Sequence, residues 1–158
     1  MKLEIPFYSQ RDSRFSNDCG AAVIACLANR SVDAVLETIG QSADKALSFY
    51  DMYKGLRSCG LPFVYIQETT PKKIRRSLDL KMPVIVLLTY GRLPKLLQAA
   101  RYSGAHWELI VGYEGDVFFV HDPLQESGYV KWGMDSLRVA MRDTSEGNLP
   151  NQSLVIKR

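Results

Sequence analysis

Three residues, far apart in the chain, have the types and settings that nucleophilic catalysis requires. Cys19 sits in the run Asn17-Asp18-Cys19-Gly20-Ala21-Ala22-Val23-Ile24-Ala25-Cys26-Leu27-Ala28. Two residues able to cap a helix precede the thiol, and a nearly all-apolar helical stretch follows it. The pattern predicts a cysteine in the first turn of a buried helix. There the unpaired backbone N–H groups and the positive end of the helix dipole favour thiolate over thiol. Further on, Gly104-Ala105-His106-Trp107 opens one β-patterned run, and His121-Asp122-Pro123 closes the next. A cysteine at a helix start, with a His and an Asp at strand ends, is the set that a cysteine hydrolase needs.

The remaining candidates read as structural. Cys26 lies about two helical turns beyond Cys19 and belongs to the core. Cys59, beside Gly60, reads as inert. His121 neighbours Asp122, so strand alternation sends it to the opposite face. Two histidines and three scattered cysteines show no paired-ligand spacing, so no metal or other cofactor is expected. An Asp before proline also caps turns, which is the plain alternative for Asp122.

The elements that must position these residues follow from periodicity and punctuation. Leu3 to Tyr8 reads as a short strand or extended arm, followed by a polar loop from Gln10 to Asp18. The Cys19 helix runs to about Asn29 and is apolar all round, hence central and covered. Ser31 caps a second helix that stops at Gly40. Ser42 or Asp44 starts a third, with Leu47, Tyr50, Met52, Tyr53 and Leu56 inward, ended by Gly60. Then come a strand at Pro62–Ile66, a short helix at Pro71–Leu80 and a buried apolar strand at Pro83–Leu88. Gly91 to Ser103 reads as a loop with helical turns. His106–Tyr113 and Val117–His121 make a hairpin, and a strand at Tyr129–Trp132, a helix at Asp135–Met141 and a strand at Leu154–Ile156 complete the chain. Helices first and a mostly antiparallel sheet after them is an α+β order.

Convergence of His106 and Asp122 places a demand on that hairpin. A three-residue loop, Glu114 to Asp116, sets Glu108 opposite Asp122 and His106 diagonal to it on the same face. A two-residue Gly115-Asp116 turn puts them on opposite faces, because a one-residue slip inverts the pattern. The expectation is therefore an odd-numbered loop or a bulged ladder.

Composition bounds the rest. At 158 residues, 46% apolar and without a low-complexity tract, the chain is expected to form one domain over residues 1–158 with a real core. A net charge of +3 is mild. Its densest basic stretch, Lys72-Lys73-Ile74-Arg75-Arg76, reads as a solvated helix face without the aromatics of a nucleic-acid platform. No membrane span is expected. Acid and proline in Met1-Lys2-Leu3-Glu4-Ile5-Pro6 do not read as a signal peptide, and three cysteines make no disulfide framework. The expected location is cytoplasmic, with delivery by a phage or a dedicated secretion system left open.

Taken together, these residues resemble the bacteriocin-processing, double-glycine-type cysteine peptidases, a papain-like family. The resemblance runs from Ile5-Pro6-Phe7-Tyr8-Ser9-Gln10 and Asp18-Cys19-Gly20 through Gly60-Leu61 and Met82-Pro83-Val84-Ile85-Val86. It continues in Ala105-His106-Trp107-Glu108-Leu109-Ile110-Val111-Gly112-Tyr113, His121-Asp122-Pro123 and Trp132. It implies a papain-like fold, a central buried Cys helix packed on the sheet, with Cys19 as nucleophile, His106 as base and Asp122 as the group that orients it. Gln10 matches the family's oxyanion glutamine, although the loop to Cys19 is longer than usual, and Ala21 stands where many relatives have proline. Trp107 and Gly104, flanking the base, are candidates to touch substrate, with plain packing as the other reading of Trp107. The segment Gly91–Ser103 is the expected place for substrate-specific contacts.

The function so implied is a stand-alone cysteine peptidase acting by acyl transfer on a peptide or protein partner. Two alternatives remain: a cell-wall peptide amidase, and a non-catalytic peptide-binding module on the same fold, which has no need of an intact nucleophile.

Overall fold

The computed structural model describes residues 1–12, 17–40, 46–142 and 149–157. Three helices come first: α1 (Cys19–Ala28), α2 (Val32–Ile39) and α3 (Phe49–Ser58). They are followed by β1 (Phe63–Ile66), α4 (Pro71–Asp79), β2 (Val84–Thr89), β3 (Ala105–Glu114), β4 (Val117–His121), β5 (Val130–Gly133), α5 (Met134–Arg142) and β6 (Ser153–Ile156). The strands form one antiparallel sheet in the order β1-β6-β2-β3-β4-β5. This is the expected α+β arrangement, and β2 and β3, which carry the most apolar runs, lie at its centre. No single helix among the described residues is long and apolar enough to cross a membrane.

Local chemistry accounts for most boundaries. Ser31 accepts from the Ala34 N–H to start α2, and Gly40, at φ +65°, ends it. Pro71 enters α4 behind a Thr70 cap. In α4 the basic run stays at the surface, where the Arg75 guanidinium stacks on Tyr113 and Lys73 reaches the carbonyls of Gln67 and Glu68.

Two expectations about α3 need correction. Ser42 and Asp44 lie outside the described residues, and α3 begins at Phe49. Ser48 and Asp51 form a reciprocal capping box there, each side chain meeting the other's backbone N–H. Tyr50, expected inward, is 69% exposed, while Met52 and Leu56 on the packed side are fully buried.

The β3–β4 hairpin meets its demand by the second route. Glu114 pairs with Val117, so the turn is the two-residue Gly115-Asp116, with Gly115 at φ +54°. The ladder then slips between Ile110 and Gly112, a bulge that leaves Val111 as the extra residue. Beyond it Leu109 pairs with His121. The next position along therefore sets Glu108 across from Asp122, with His106 two residues further on the same face. Val111 is not idle: its carbonyl accepts from the Leu3 N–H at 2.7 Å, and Lys2 bridges to Gly112. The extended arm that begins the chain is thus bound to the bulge.

Candidate active site

Cys19 is the first residue of α1, and every residue from Cys19 to Cys26 is buried. Asp18 holds the N-cap position without a side-chain cap bond; its carbonyl accepts from Ala22 at 2.8 Å. Gly20 explains how the helix start is seated. A Cβ there would meet Leu47 Cδ1 at 2.8 Å. The Leu47 carbonyl in turn accepts from the Trp107 indole Nε1 at 2.8 Å. Leu47 is therefore clamped between the first turn of α1 and strand β3, next to His106.

His106 is buried, and its Nε2 lies 3.1 Å from Asp122 Oδ1. Asp122 is held from several sides. Its Oδ1 accepts the Leu124 N–H at 2.9 Å, while its Oδ2 accepts the Tyr90 hydroxyl at 2.9 Å and the Gln125 Nε2 at 3.3 Å. Tyr90 also packs edge-on against the imidazole, at 4.9 Å between centroids. A second carboxyl enters the same cluster, with Glu108 Oε1 3.2 Å from His106 Nε2. That contact lacks the geometry of a hydrogen bond. Neither Tyr90 nor Glu108 stood out in the sequence as a site residue. The hairpin register that sets Glu108 beside Asp122 was the available signal for Glu108. Tyr90, at the end of β2, carried none.

The electrostatics separate Cys19 from the other thiols. Burial pushes the Cys19 thiol up, but the charge and hydrogen bond of His106 and the backbone N–H groups of Trp107 and Gly20 outweigh it, leaving it lowered. Cys26, buried in the same helix without a cationic partner, is pushed up to about 11. Burial lowers His106, yet Glu108, Cys19 and Asp122 together hold it well above its ordinary value. Burial raises Asp122, and the hydrogen bond and charge of His106, helped by Leu124 and Tyr90, bring it below. Glu108 stands well above the carboxylate range, because burial and the Asp122 charge exceed the attraction of His106. The arrangement favours a thiolate–imidazolium pair backed by one carboxylate.

The other candidates separate cleanly. Gln10 begins a short 3-10 turn, and its N–H is bonded to the Pro123 carbonyl at 3.0 Å. It lines a cavity of about 270 Å³ together with Asn17, Cys19, Tyr102, His106 and Leu124. Trp107 is not a wall of that cavity. It points to the other side of β3 at 2% exposure and packs on Phe49, so plain packing describes its side chain. Gly104 is likewise absent from the lining, and its carbonyl accepts from the Tyr90 N–H. The segment Gly91–Ser103 carries two 3-10 turns and frames a second cavity of about 970 Å³, which shares Tyr102 with the first. His121 faces away, with Nε2 at the Ile5 carbonyl and Nδ1 accepting from the Tyr129 N–H. Spacing along the chain showed no ligand set, yet folding brings donor atoms of His106, Glu108 and Asp122 within 4.8 Å of one another. The Nε2 edge of His106 is already engaged by Asp122, so these three groups serve one another.

Known proteins resemble this arrangement in sequence pattern and in fold. The model of the Peptidase_C39 like family matches residues 2–141. A structure described as a C39-like peptidase from Bacillus anthracis superimposes with a TM-score of 0.72 at 12% identity, covering 100% of this chain and 98% of that one. A double-glycine-motif protease from an AMS/PCAT transporter, solved with its leader peptide, gives 0.65 at 18% identity, covering 98% and 92%. The peptidase domain of Streptococcus ComA, a bi-functional ABC transporter of a quorum-sensing pathway, gives 0.64 at 15% identity, covering 95% and 96%. No protein of curated function matches the chain in sequence.

Proposed function

The chain belongs to the Peptidase_C39 like family and has the papain-like fold of those peptidases, and we propose that it cleaves peptide bonds by acyl transfer through Cys19. The observation that carries this reading is the meeting of a buried sulfur with an imidazole whose far edge rests on Asp122. The Cys19 thiolate attacks the scissile carbonyl carbon, and the carbonyl electron pair moves onto oxygen. The Cys19 backbone N–H and the Gln10 side chain hold that oxyanion. His106, charged in the resting ion pair, gives its proton to the leaving amine as the C–N bond breaks and an acyl-thioester remains. A water then loses its proton to His106 and attacks the thioester; the carbon–sulfur bond breaks, the acid product leaves and the thiolate–imidazolium pair is restored. Asp122 keeps the ring in the required tautomer throughout.

The substrate is proposed to be a peptide. A leader peptide is bound by the transporter protease of the same fold, and here the cavity at Cys19 adjoins a longer one along Gly91–Ser103 that offers a flanking segment room. Mass spectrometry after incubation with an electrophilic peptide probe tests the assignment. Wild type is expected to carry one adduct on Cys19 and Cys19→Ala none; an adduct on Cys26 or Cys59, or equal labelling of both proteins, overturns it. Removing the Gln10 amide by Gln10→Ala is expected to lower kcat by roughly 10²–10³.

A further inference from the structure

The acyl-transfer scheme uses one carboxylate, and the cluster contains two. Glu108 has no exposed surface, and neither of its oxygens receives a hydrogen bond. Asp122 beside it collects four donors, from His106, Leu124, Tyr90 and Gln125. A buried carboxylate with both oxygens unserved is costly, whereas a carboxylic acid can donate. The carboxylate beside it is Asp122, with an oxygen within 4.8 Å of one of Glu108.

The charges facing Glu108 argue the same way. They are His106 on its own strand, Asp122 just after β4 and Tyr90 after β2, and Cys19 reaches the cluster through His106. Directly across on β2 stands Val86, and on α5 Asp135 and Arg138 pair with each other at the surface. One imidazolium cannot hold a thiolate and two carboxylates in so dry a space, and carboxyls this close keep a proton between them.

We propose that Glu108 is a positioning residue of this site: at neutral pH its carboxyl donates a shared proton to Asp122, and on losing that proton to solvent at alkaline pH it becomes a second anion that keeps His106 protonated. The device steadies Asp122 while the ion pair forms and extends the pair's lifetime upward in pH. It rests on the Cys19–His106 reading, so its test must tell the two apart.

Two titrations of the full chain do so. The acid step is followed by iodoacetamide alkylation of Cys19, located by mass spectrometry. The alkaline step is followed by NMR of the His106 ring, assignable because the chain has two histidines. Glu108→Gln and Glu108→Leu are expected to leave the acid step in place and to bring the alkaline step down by about 1–3 pH units. Movement of both steps would mean that Glu108 is ionised throughout, and movement of neither that it does not act on the ring; either result overturns the proposal. A purely structural Glu108 would change the melting temperature alone. His106→Ala serves the underlying reading: if its Cys19 keeps the wild-type acid step, the ion pair itself is wrong, whatever the Glu108 variants do.

Discussion

Tyr90 and Glu108 both touch the His106–Asp122 couple, and they act on stability in opposite directions. The Tyr90 hydroxyl donates to Asp122 Oδ2 and also accepts the Ala99 N–H at 2.8 Å. Tyr90→Phe removes a hydrogen bond to a charged, buried acceptor and is expected to cost about 1.5–3 kcal/mol in denaturant unfolding. The Asp122 carboxyl lies below its ordinary value when folded. Its contribution is therefore present above the unfolded pKa of about 3.9 and lost as pH falls through the folded one, so the Tyr90→Phe deficit should shrink on acidification. Glu108 has the reverse sign. Its folded value is raised, so its contribution is full below about pH 4.3 and is lost as pH rises. Glu108→Gln should accordingly gain stability over wild type between about pH 4 and pH 7, read from urea midpoints. A difference that stays flat over that range would mean that the folded protein carries Glu108 ionised.

At the scale of elements, the seat of Cys19 is made by the Gly20–Leu47–Trp107 stack. Gly20→Ala drives a Cβ to 2.8 Å from Leu47 Cδ1. The expected cost is about 1–3 kcal/mol, with slower Cys19 alkylation as the helix start is pushed from β3. The hairpin is the second such element. Gly115 occupies φ +54°, so Gly115→Val should cost about 1–2 kcal/mol. The Ser31 start and Gly40 stop of α2 and the strand alternation were legible in the residues, because each depends on a few neighbours in the chain. The start of α3 was misplaced because Ser42, Asp44 and Ser48 are all acceptable caps, and Ser48 alone has an acid three residues on to complete a capping box.

Over the whole molecule, the proposed site depends on contacts between distant segments. Ser9 Oγ donates to the carbonyls of Pro123 and Gln125 at 3.0 and 2.8 Å, which fastens the Gln10 turn to the segment after Asp122. Ser9→Ala is expected to lower kcat by loosening Gln10 while the Cys19 thiolate, measured by alkylation, is retained. Loss of both together would mean that Ser9 supports the fold as a whole. Residue types and local order were enough to identify a cysteine in a helix start, a hairpin with an awkward parity, and the α+β layout, since periodicity and capping act over a few residues. They were not enough to choose between an odd loop and a bulge, to turn Trp107 away from the cleft, or to bring Tyr90 and Glu108 against Asp122. Those outcomes depend on how the arm binds at Val111, where α1 lands on β3 and how much charge the closed interior tolerates, and such energies exist only once the segments have packed.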